Sequence, residues 1–297
     1  MRRFPLVLFI IILAAGITET AYGSPMADST GYNQRLKKGI EAFYTTHWKE
    51  AEATFKALQL ENPNDSRAYF FSSMIPFWKY FFGANTKQAA NLFLKRSEKA
   101  IAVSLDELNE NPHDTTMVLM LSGLYGYRSL IAANESQYRT AIQSGVTGFK
   151  YTRQLLALDA DDPRALIGKG VFYYMMGSVP PELRWMTNMA GLSGSKRQGF
   201  NALERAAESK SYVSNDAKMI LSYLYEREGQ YEKSLQNLRE LGQRYPQNII
   251  FQFNLARMLE KCNKIAEAKA KYKTVASLKN DELEVLKEKS RKRYKKL

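Results

Sequence analysis

The stretch YLYEREGQYEKSLQNLRELGQRYPQN, residues 223–248, carries the pattern that decides the fold. One apolar helical face ends near Gly229, and a second runs from Tyr231 to the proline at position 246. Apolar residues three and four apart predict two amphipathic helices, and the glycine and the proline predict their ends. The pattern returns 34 residues further on, where Asn263 stands at the turn and Asn280 replaces the proline. A repeat of helix pairs is therefore predicted.

The stretch GIEAFYTTHWKEAEATFKALQLENPND, residues 39–65, has the same organisation near the N-terminus. Gly39 is the small residue of its first helix, and Pro63 ends its second helix. Residue types and spacings over 32–65 and 215–280 resemble the tetratricopeptide repeat. That resemblance implies pairs of antiparallel helices that stack into a right-handed superhelix, with small residues where the helices approach closely.

The predicted fold class is all-α, an α-solenoid of about six antiparallel helix pairs with a C-terminal capping helix. Three central repeats are about 15 residues too long, which predicts helices about two turns longer than usual. In the fourth repeat, residues 180–195 contain prolines and glycines that predict a loop with a short helical piece. The predicted repeats lie near 32–65, 66–114, 115–162, 163–214, 215–248 and 249–280, and the basic capping helix covers 281–297.

The N-terminus has the pattern of a secretory signal peptide. Two arginines precede an apolar run over residues 4–17, and small residues follow up to Gly23. We expect a signal peptide over 1–23 that is cleaved after Gly23, and a linker over 24–31. A retained membrane anchor is the alternative, although a spanning helix needs roughly 20 apolar residues. Because Cys262 is the only cysteine, no intrachain disulfide can form, and a periplasmic bacterial protein is predicted.

The formal net charge is +13, and much of it lies at the C-terminal end. Residues 287–297 hold seven cations and one glutamate. The two interpretations are a solvated helix end and a contact with an anionic surface such as lipid headgroups. Nucleic acid is not an expected partner, because the protein is predicted to be exported and its cations lie at a tail rather than along a groove.

The sequence offers no pattern for chemistry. His47 and His113 stand at predicted turns, and two isolated histidines with one cysteine do not make a zinc site. Metalloprotease, nucleophile-elbow and phosphate-loop motifs do not occur. We therefore expect no enzymatic activity, no catalytic residues, no metal and no cofactor.

By resemblance, the first helix of each pair lines a concave groove that binds partners. The aromatic residues and arginines predicted on that face are Tyr44, Arg67, Phe70, Phe77, Trp78, Tyr127, Arg164 and Tyr174. For the aromatic residues, burial in an ordinary core is the alternative to a groove wall. The two arginines stand at equivalent places in two repeats, where they could meet a partner's carboxylate or bridge neighbouring repeats.

Two functions follow from these expectations. The first is a non-enzymatic interaction or adaptor module that binds a protein or peptide partner in the cell envelope through the aromatic groove. The alternative is a periplasmic component of an envelope transport system that binds a small apolar molecule or lipid.

Overall fold

A computed structural model describes residues 29–82, 86–158, 163–179, 181–185, 193–210, 213–280 and 282–297. Within these ranges the regular secondary structure is helical, and they contain no strand. The all-α class predicted from the sequence is therefore confirmed. The predicted signal peptide and linker lie outside the described residues, apart from the last residues of the linker.

The described helices follow one another in chain order. They are α1 (Ser29–Tyr44), α2 (Trp48–Glu61), α3 (Ser66–Phe82), α4 (Lys87–Glu110), α5 (Thr115–Asn134), α6 (Tyr138–Leu158), α7 (Pro163–Gly177), α8 (Lys196–Glu208), α9 (Ser214–Arg227), α10 (Tyr231–Arg244), α11 (Ile249–Lys261), α12 (Ile265–Ser277) and α13 (Glu284–Lys296). A short 3-10 helix, Pro181–Leu183, lies between α7 and α8. Within the predicted second and third repeats, α4 has 24 residues and α6 has 21, and the lengthening of three central repeats stays a prediction.

The described chain forms two compact units. The middle unit comprises residues 108–221, and the terminal unit comprises residues 29–107 together with 222–297. In the middle unit α5 packs on α6, and α7 packs on α8. In the terminal unit α1, α2 and α3 pack in succession, as do α10, α11, α12 and α13. Successive antiparallel helices thus pack side by side within each unit, as in an α-solenoid.

The turn inside a helix pair recurs with the same backbone geometry. Thr46, Ser136, Gly229 and Asn263 all have a positive φ, between 58° and 74°, and each lies two residues before the second helix of its pair. The following residue closes the turn: the amide of Gln230, for example, donates to the carbonyl of Tyr225 at 2.8 Å. Helices commonly end in this way, with one residue in the left-handed conformation and the next amide donating to a carbonyl five residues earlier. The repeat is therefore visible in the backbone as well as in the sequence.

The turn between helix pairs also recurs, and its last residue caps the next helix. Asp114 accepts from the amides of Thr116 and Met117 at 2.7 and 3.1 Å. Asn248 caps α11 in the same way, at 2.9 and 3.0 Å. Such caps satisfy amides that have no partner inside the helix. The acidic and amide residues at these repeat ends are therefore fixed by local backbone chemistry.

The N-terminal and C-terminal helices of the terminal unit pack against each other. The rings of Tyr44 and Tyr245 stack with centroids 5.4 Å apart. Lys79 on α3 forms an ion pair with Glu282 at 2.6 Å, just before α13. In a linear stack each repeat contacts only its neighbours in sequence. These contacts join residues about 200 positions apart, and the sequence pattern did not predict them.

Leu283 and Leu286 of the predicted capping segment are buried. Among the described residues, no helix combines the length and the apolar character that crossing a membrane requires.

Candidate functional site

The aromatic residues predicted to line a groove are packed inside the protein. Each exposes 3% or less of its surface: Tyr44, Phe70, Phe77, Trp78, Tyr127 and Tyr174. Their burial favours packing in the protein core over a role as the wall of a groove. Partner binding by these residues stays a prediction.

Trp78 lies at the centre of an aromatic cluster in the terminal unit. Its ring is 4.9 Å from the ring of Phe43 and 6.4 Å from that of Tyr44, edge to face in both cases. On another side lies Phe251 of α11, with ring centroids 6.3 Å apart. The buried indole Nε1 has no hydrogen-bond partner among the described atoms. A partner could reach Trp78 only if these surrounding rings moved.

The remaining predicted aromatic residues divide between the two units. In the terminal unit, Phe77 packs on Phe93 of α4 with centroids 5.4 Å apart, and Phe70 packs on Phe71. In the middle unit, the Tyr174 ring meets that of Phe200 at 5.6 Å. Tyr127 is also in the middle unit, within α5. The structure thus brings Tyr44 and Trp78 together, whereas Phe70 and Phe77 have other aromatic neighbours.

Arg67 bridges neighbouring repeats. Its guanidinium donates to the Asp65 carboxylate through Nε at 2.8 Å and through Nη2 at 2.6 Å. Nη2 also reaches the side-chain oxygen of Asn33 on α1 at 3.3 Å. Burial lowers the pKa of Arg67, but the hydrogen bonds and charge of Asp65 outweigh it and raise the pKa. Arg164 is the second residue of α7, and its side chain lies outside the described residues.

A buried polar cluster continues from this ion pair. The carboxylate of Glu107 accepts from the hydroxyl of Ser66 at 2.5 Å and from its amide at 3.3 Å. Burial raises the pKa of Glu107, and these two hydrogen bonds oppose that rise. Burial also raises the pKa of the Tyr32 phenol, with a further contribution from the Asp65 charge. These contacts lie inside the protein, so the cluster joins α1, α3 and α4 rather than forming an open site.

An exposed groove does exist on the terminal unit, and we call it the basic groove. Its volume is about 590 Å³, which is within the range of protein ligand sites. It lies between α2 and α4, with α3 beneath. Its lining residues are Glu52, Lys56, Gln59, Tyr69, Ser72, Leu92, Lys95, Arg96 and Lys99.

Hydrogen bonds across the helices hold the floor of the basic groove. Arg96 on α4 donates through Nη1 to the backbone carbonyl of Ser72 at 3.1 Å, and its Nη2 pairs with the carboxylate of Glu52 on α2. Gln59 donates to the carbonyl of Ala68 at 3.1 Å. These contacts tie three helices together, so the groove is formed before any partner arrives.

The rim of the basic groove offers cations and apolar surface. The Lys99 ammonium lies 5.7 Å from the centre of the half-buried Tyr69 ring. Lys56 and Lys95 are exposed, and neither forms an ion pair with a described residue. Leu92 exposes 40% of its surface beside them. The groove therefore combines unpaired positive charge with an aromatic and an aliphatic contact.

Reasoning from the sequence missed the basic groove. The stretch KRSEK, residues 95–99, places Lys95 and Lys99 four residues apart on one helix face, and that spacing was the available signal. It does not reveal that Lys56, on a different helix and about 40 positions earlier, lies on the same groove.

The basic tail is partly neutralised within the protein. Arg293 pairs with Glu260 on α11, and Arg291 and Lys287 both pair with Glu284 at 2.8 Å. Hydrogen bonds from these last two side chains lower the pKa of Glu284. Contact between the remaining cations and an anionic surface stays a prediction.

Groups that could support metal or thiol chemistry are sparse in the described part of the chain. It contains no cluster of three or more His, Cys, Asp or Glu side chains placed to hold a metal ion. Burial raises the pKa of the Cys262 thiol, and the charge of Glu232 raises it further. A raised pKa leaves less of the nucleophilic thiolate at neutral pH.

A family model matches part of the chain and agrees with a helical repeat. The family model for Iml2/Tetratricopeptide repeat protein 39 matches residues 165–288, which run from α7 into α13. Over these residues the chain is similar to this tetratricopeptide-repeat family. The crystal structure of TTC0263, a thermophilic TPR protein in Thermus thermophilus, is similar over 77% of this chain and 98% of its own, with 13% identity and a TM-score of 0.46. The comparison with curated proteins found no match.

Proposed function

We propose that the protein is a non-enzymatic protein-interaction module that acts as an adaptor and binds its partner at the basic groove. The observation that carries this proposal is the preformed groove itself, with exposed cations beside Tyr69 and Leu92. The resemblance to tetratricopeptide-repeat proteins supports the same proposal, because such proteins are typically scaffolds that bind other proteins.

The basic groove supports docking better than the predicted aromatic face does. A partner at Trp78 must displace Phe251 and the neighbouring rings, and so lose the free energy of their burial. A partner at the groove meets Lys95 and Leu92 already in contact with solvent. Binding at a preformed site avoids that rearrangement cost.

Site-specific photo-crosslinking tests the proposal. A photoreactive residue replaces Leu92 at the groove, and in a matched variant it replaces Lys37, which is exposed on α1. In intact cells we expect the Leu92 position to crosslink to one protein of defined mass, and the Lys37 position to give a much weaker yield of that product. Equal yields at the two positions, or no product at either, would overturn the proposal.

We also propose that the protein acts in the periplasm and that its partner belongs to the cell envelope. The apolar run after two arginines supports export. Purification from the periplasmic fraction followed by N-terminal sequencing should give a mature chain that starts at Ser24. A chain that starts at Met1 and remains with the membrane would contradict cleavage after Gly23.

A further inference from the structure

We propose that the basic groove takes an acidic segment of the partner protein: an extended stretch of Asp or Glu residues with an apolar side chain among them. This inference rests on the proposed function and adds the chemistry of the partner. The carboxylates would meet Lys56, Lys95 and Lys99, and the apolar side chain would contact Tyr69 and Leu92.

The first argument for an acidic segment is the charge balance of the groove. Its lining contains four cations and one carboxylate, that of Glu52, which Arg96 already engages. Lys95 and Lys99 lie four residues apart on α4, and like charges at this spacing repel each other. A bound carboxylate between them would turn that repulsion into attraction.

The second argument is the chemistry of the hydrogen-bond donors that are available in the groove. The guanidinium of Arg96 is the group best suited to planar bidentate recognition of phosphate, but Glu52 and the carbonyl of Ser72 hold it. The unpaired cations are lysines. Each ammonium is a point charge on a flexible stem and can donate hydrogen bonds to carboxylates that approach from several directions. This donor set suits a run of carboxylates more than a fixed phosphate.

The shape of the groove carries the third step. Its cations are gathered in one recess between α2 and α4, whereas a nucleic-acid site needs cations spread along the regular spacing of the phosphates. Tyr69 and Leu92 sit beside the cations and offer an aromatic and an aliphatic contact to one side chain. A peptide supplies charges and such a side chain together, whereas the flat headgroup layer of a lipid bilayer does not enter a recess.

Fluorescence anisotropy with the full chain and a labelled peptide of alternating Glu and Leu tests the inference. A peptide of the same length with Gln in place of Glu is the probe control. The groove variant is Lys95→Glu with Lys99→Glu. The matched control is Lys37→Glu with Lys38→Glu, which changes the net charge equally at exposed positions of α1.

The acidic peptide should bind the unaltered chain more tightly than the Gln peptide does, and raised salt should weaken its binding. The groove variant should lose about tenfold or more in affinity, since two attractive contacts become repulsive, and the α1 control should lose much less. A Lys95→Gln, Lys99→Gln variant should lie between them, and it removes charge with little risk to the fold. Equal losses in the groove variant and the α1 control would overturn the inference.

Two further probes settle the class of ligand. Vesicles of anionic phospholipid and a DNA duplex are measured with the same variants, and tighter binding of either, sensitive to Lys95 and Lys99, would overturn the acidic segment. The proposed function can be judged separately. A crosslink at Leu92 to a protein, with no affinity for the acidic peptide, would keep the interaction module and reject the acidic partner. If neither the crosslink at Leu92 nor binding of the acidic peptide is observed, the interaction module and the acidic partner are both rejected.

Discussion

The side-chain Nδ2 of Asn248 donates to the backbone carbonyl of Tyr44 at 2.5 Å, across 204 positions of sequence. The oxygen of the same side chain caps α11. Asn280 repeats this arrangement: it donates to the carbonyl of Thr46 at 3.1 Å, and its oxygen accepts from the amides of Glu282 and Leu283. An amide carries both a donor and an acceptor, so each asparagine joins the first helix pair to a later one while it serves as a cap.

Replacement of Asn248 by Asp should destabilise the protein. The variant Asn248→Asp keeps the capping oxygen but turns the buried donor into a second acceptor that faces the Tyr44 carbonyl. Losing this hydrogen bond and placing an acceptor oxygen against the carbonyl should lower the free energy of unfolding by about 1–3 kcal/mol. Urea denaturation at neutral pH, followed by circular dichroism, measures the change.

Asp114→Asn is the matched control for this prediction. Asp114 caps α5 through its Oδ1, and asparagine is an equally good cap. We expect the free energy of unfolding to change by less than about 0.5 kcal/mol, which is usual for substitutions away from buried networks. If Asn248→Asp is as mild as Asp114→Asn, the contact to Tyr44 does not contribute to stability.

The accessibility of Trp78 can be measured directly. Trp48 and Trp78 are fully buried, whereas Trp185 exposes 60% of its surface. In a chain with Trp48→Phe and Trp185→Phe, the only remaining indole is that of Trp78, and acrylamide should quench its fluorescence weakly because the surrounding rings exclude the quencher. In the matched variant with Trp48→Phe and Trp78→Phe, Trp185 should be quenched strongly. Strong quenching of Trp78 would instead support the open groove predicted from the sequence.

Close packing of α7 on α8 should make Gly199 intolerant of a side chain. A Cβ at Gly199 would lie 2.7 Å from the carbonyl oxygen of Gly170 and 2.7 Å from the Cβ of Tyr174. Because backbone atoms would have to move, Gly199→Ala should lower the free energy of unfolding by about 1–3 kcal/mol. Thermal and urea denaturation would show this loss.

Gly126 within α5 is the control for that substitution. A Cβ there meets no heavy atom within 4 Å. Since alanine favours a helix interior over glycine, Gly126→Ala should raise the free energy of unfolding by up to about 1 kcal/mol. Similar losses in both variants would show that the contact with Gly170 is not the cause.

The raised pKa of Glu107 predicts a pH dependence of stability. A carboxyl with a higher pKa in the folded chain than in the unfolded chain binds its proton more tightly when folded. Its contribution to stability is therefore present below the ordinary glutamate pKa of about 4.3 and is lost as the pH rises through the raised folded value. Glu107→Gln cannot titrate, so the free energy of unfolding of the unaltered chain, relative to this variant, should fall as the pH rises from about 4 to 7.

Urea denaturation at several pH values measures this difference. Glu110→Gln, which removes a carboxylate at an exposed position of the same helix, serves as the control. An equal dependence for both variants would show that burial of Glu107 does not set the effect.

Local signals made most of the fold predictable. Glycine or asparagine at positions 229 and 263 marks the turn inside a pair, because these residues adopt a left-handed backbone conformation readily. Asp114 marks the start of α5, because its side chain caps the helix. Both effects act over a few residues, so the turns and the cap can be predicted from the sequence alone.

The candidate site was much less predictable, because it depends on contacts between distant residues. Trp78 has the same apolar periodicity whether it faces a ligand or another helix, and the ring of Phe251 decides between the two. Lys56 and Lys95 read as ordinary solvated lysines until α2 and α4 place them on one groove.

The sequence by itself determined the helices, their turns, their caps and the repeat that joins them, since these follow from backbone geometry and from hydrophobic periodicity. Only the tertiary structure decided that Asn248 and Asn280 connect the last repeats to the first, and that the aromatic cluster is covered while the basic groove is open. The physical reason is that burial and charge pairing depend on which surfaces meet, and helical periodicity assigns a residue to a face without specifying what covers that face.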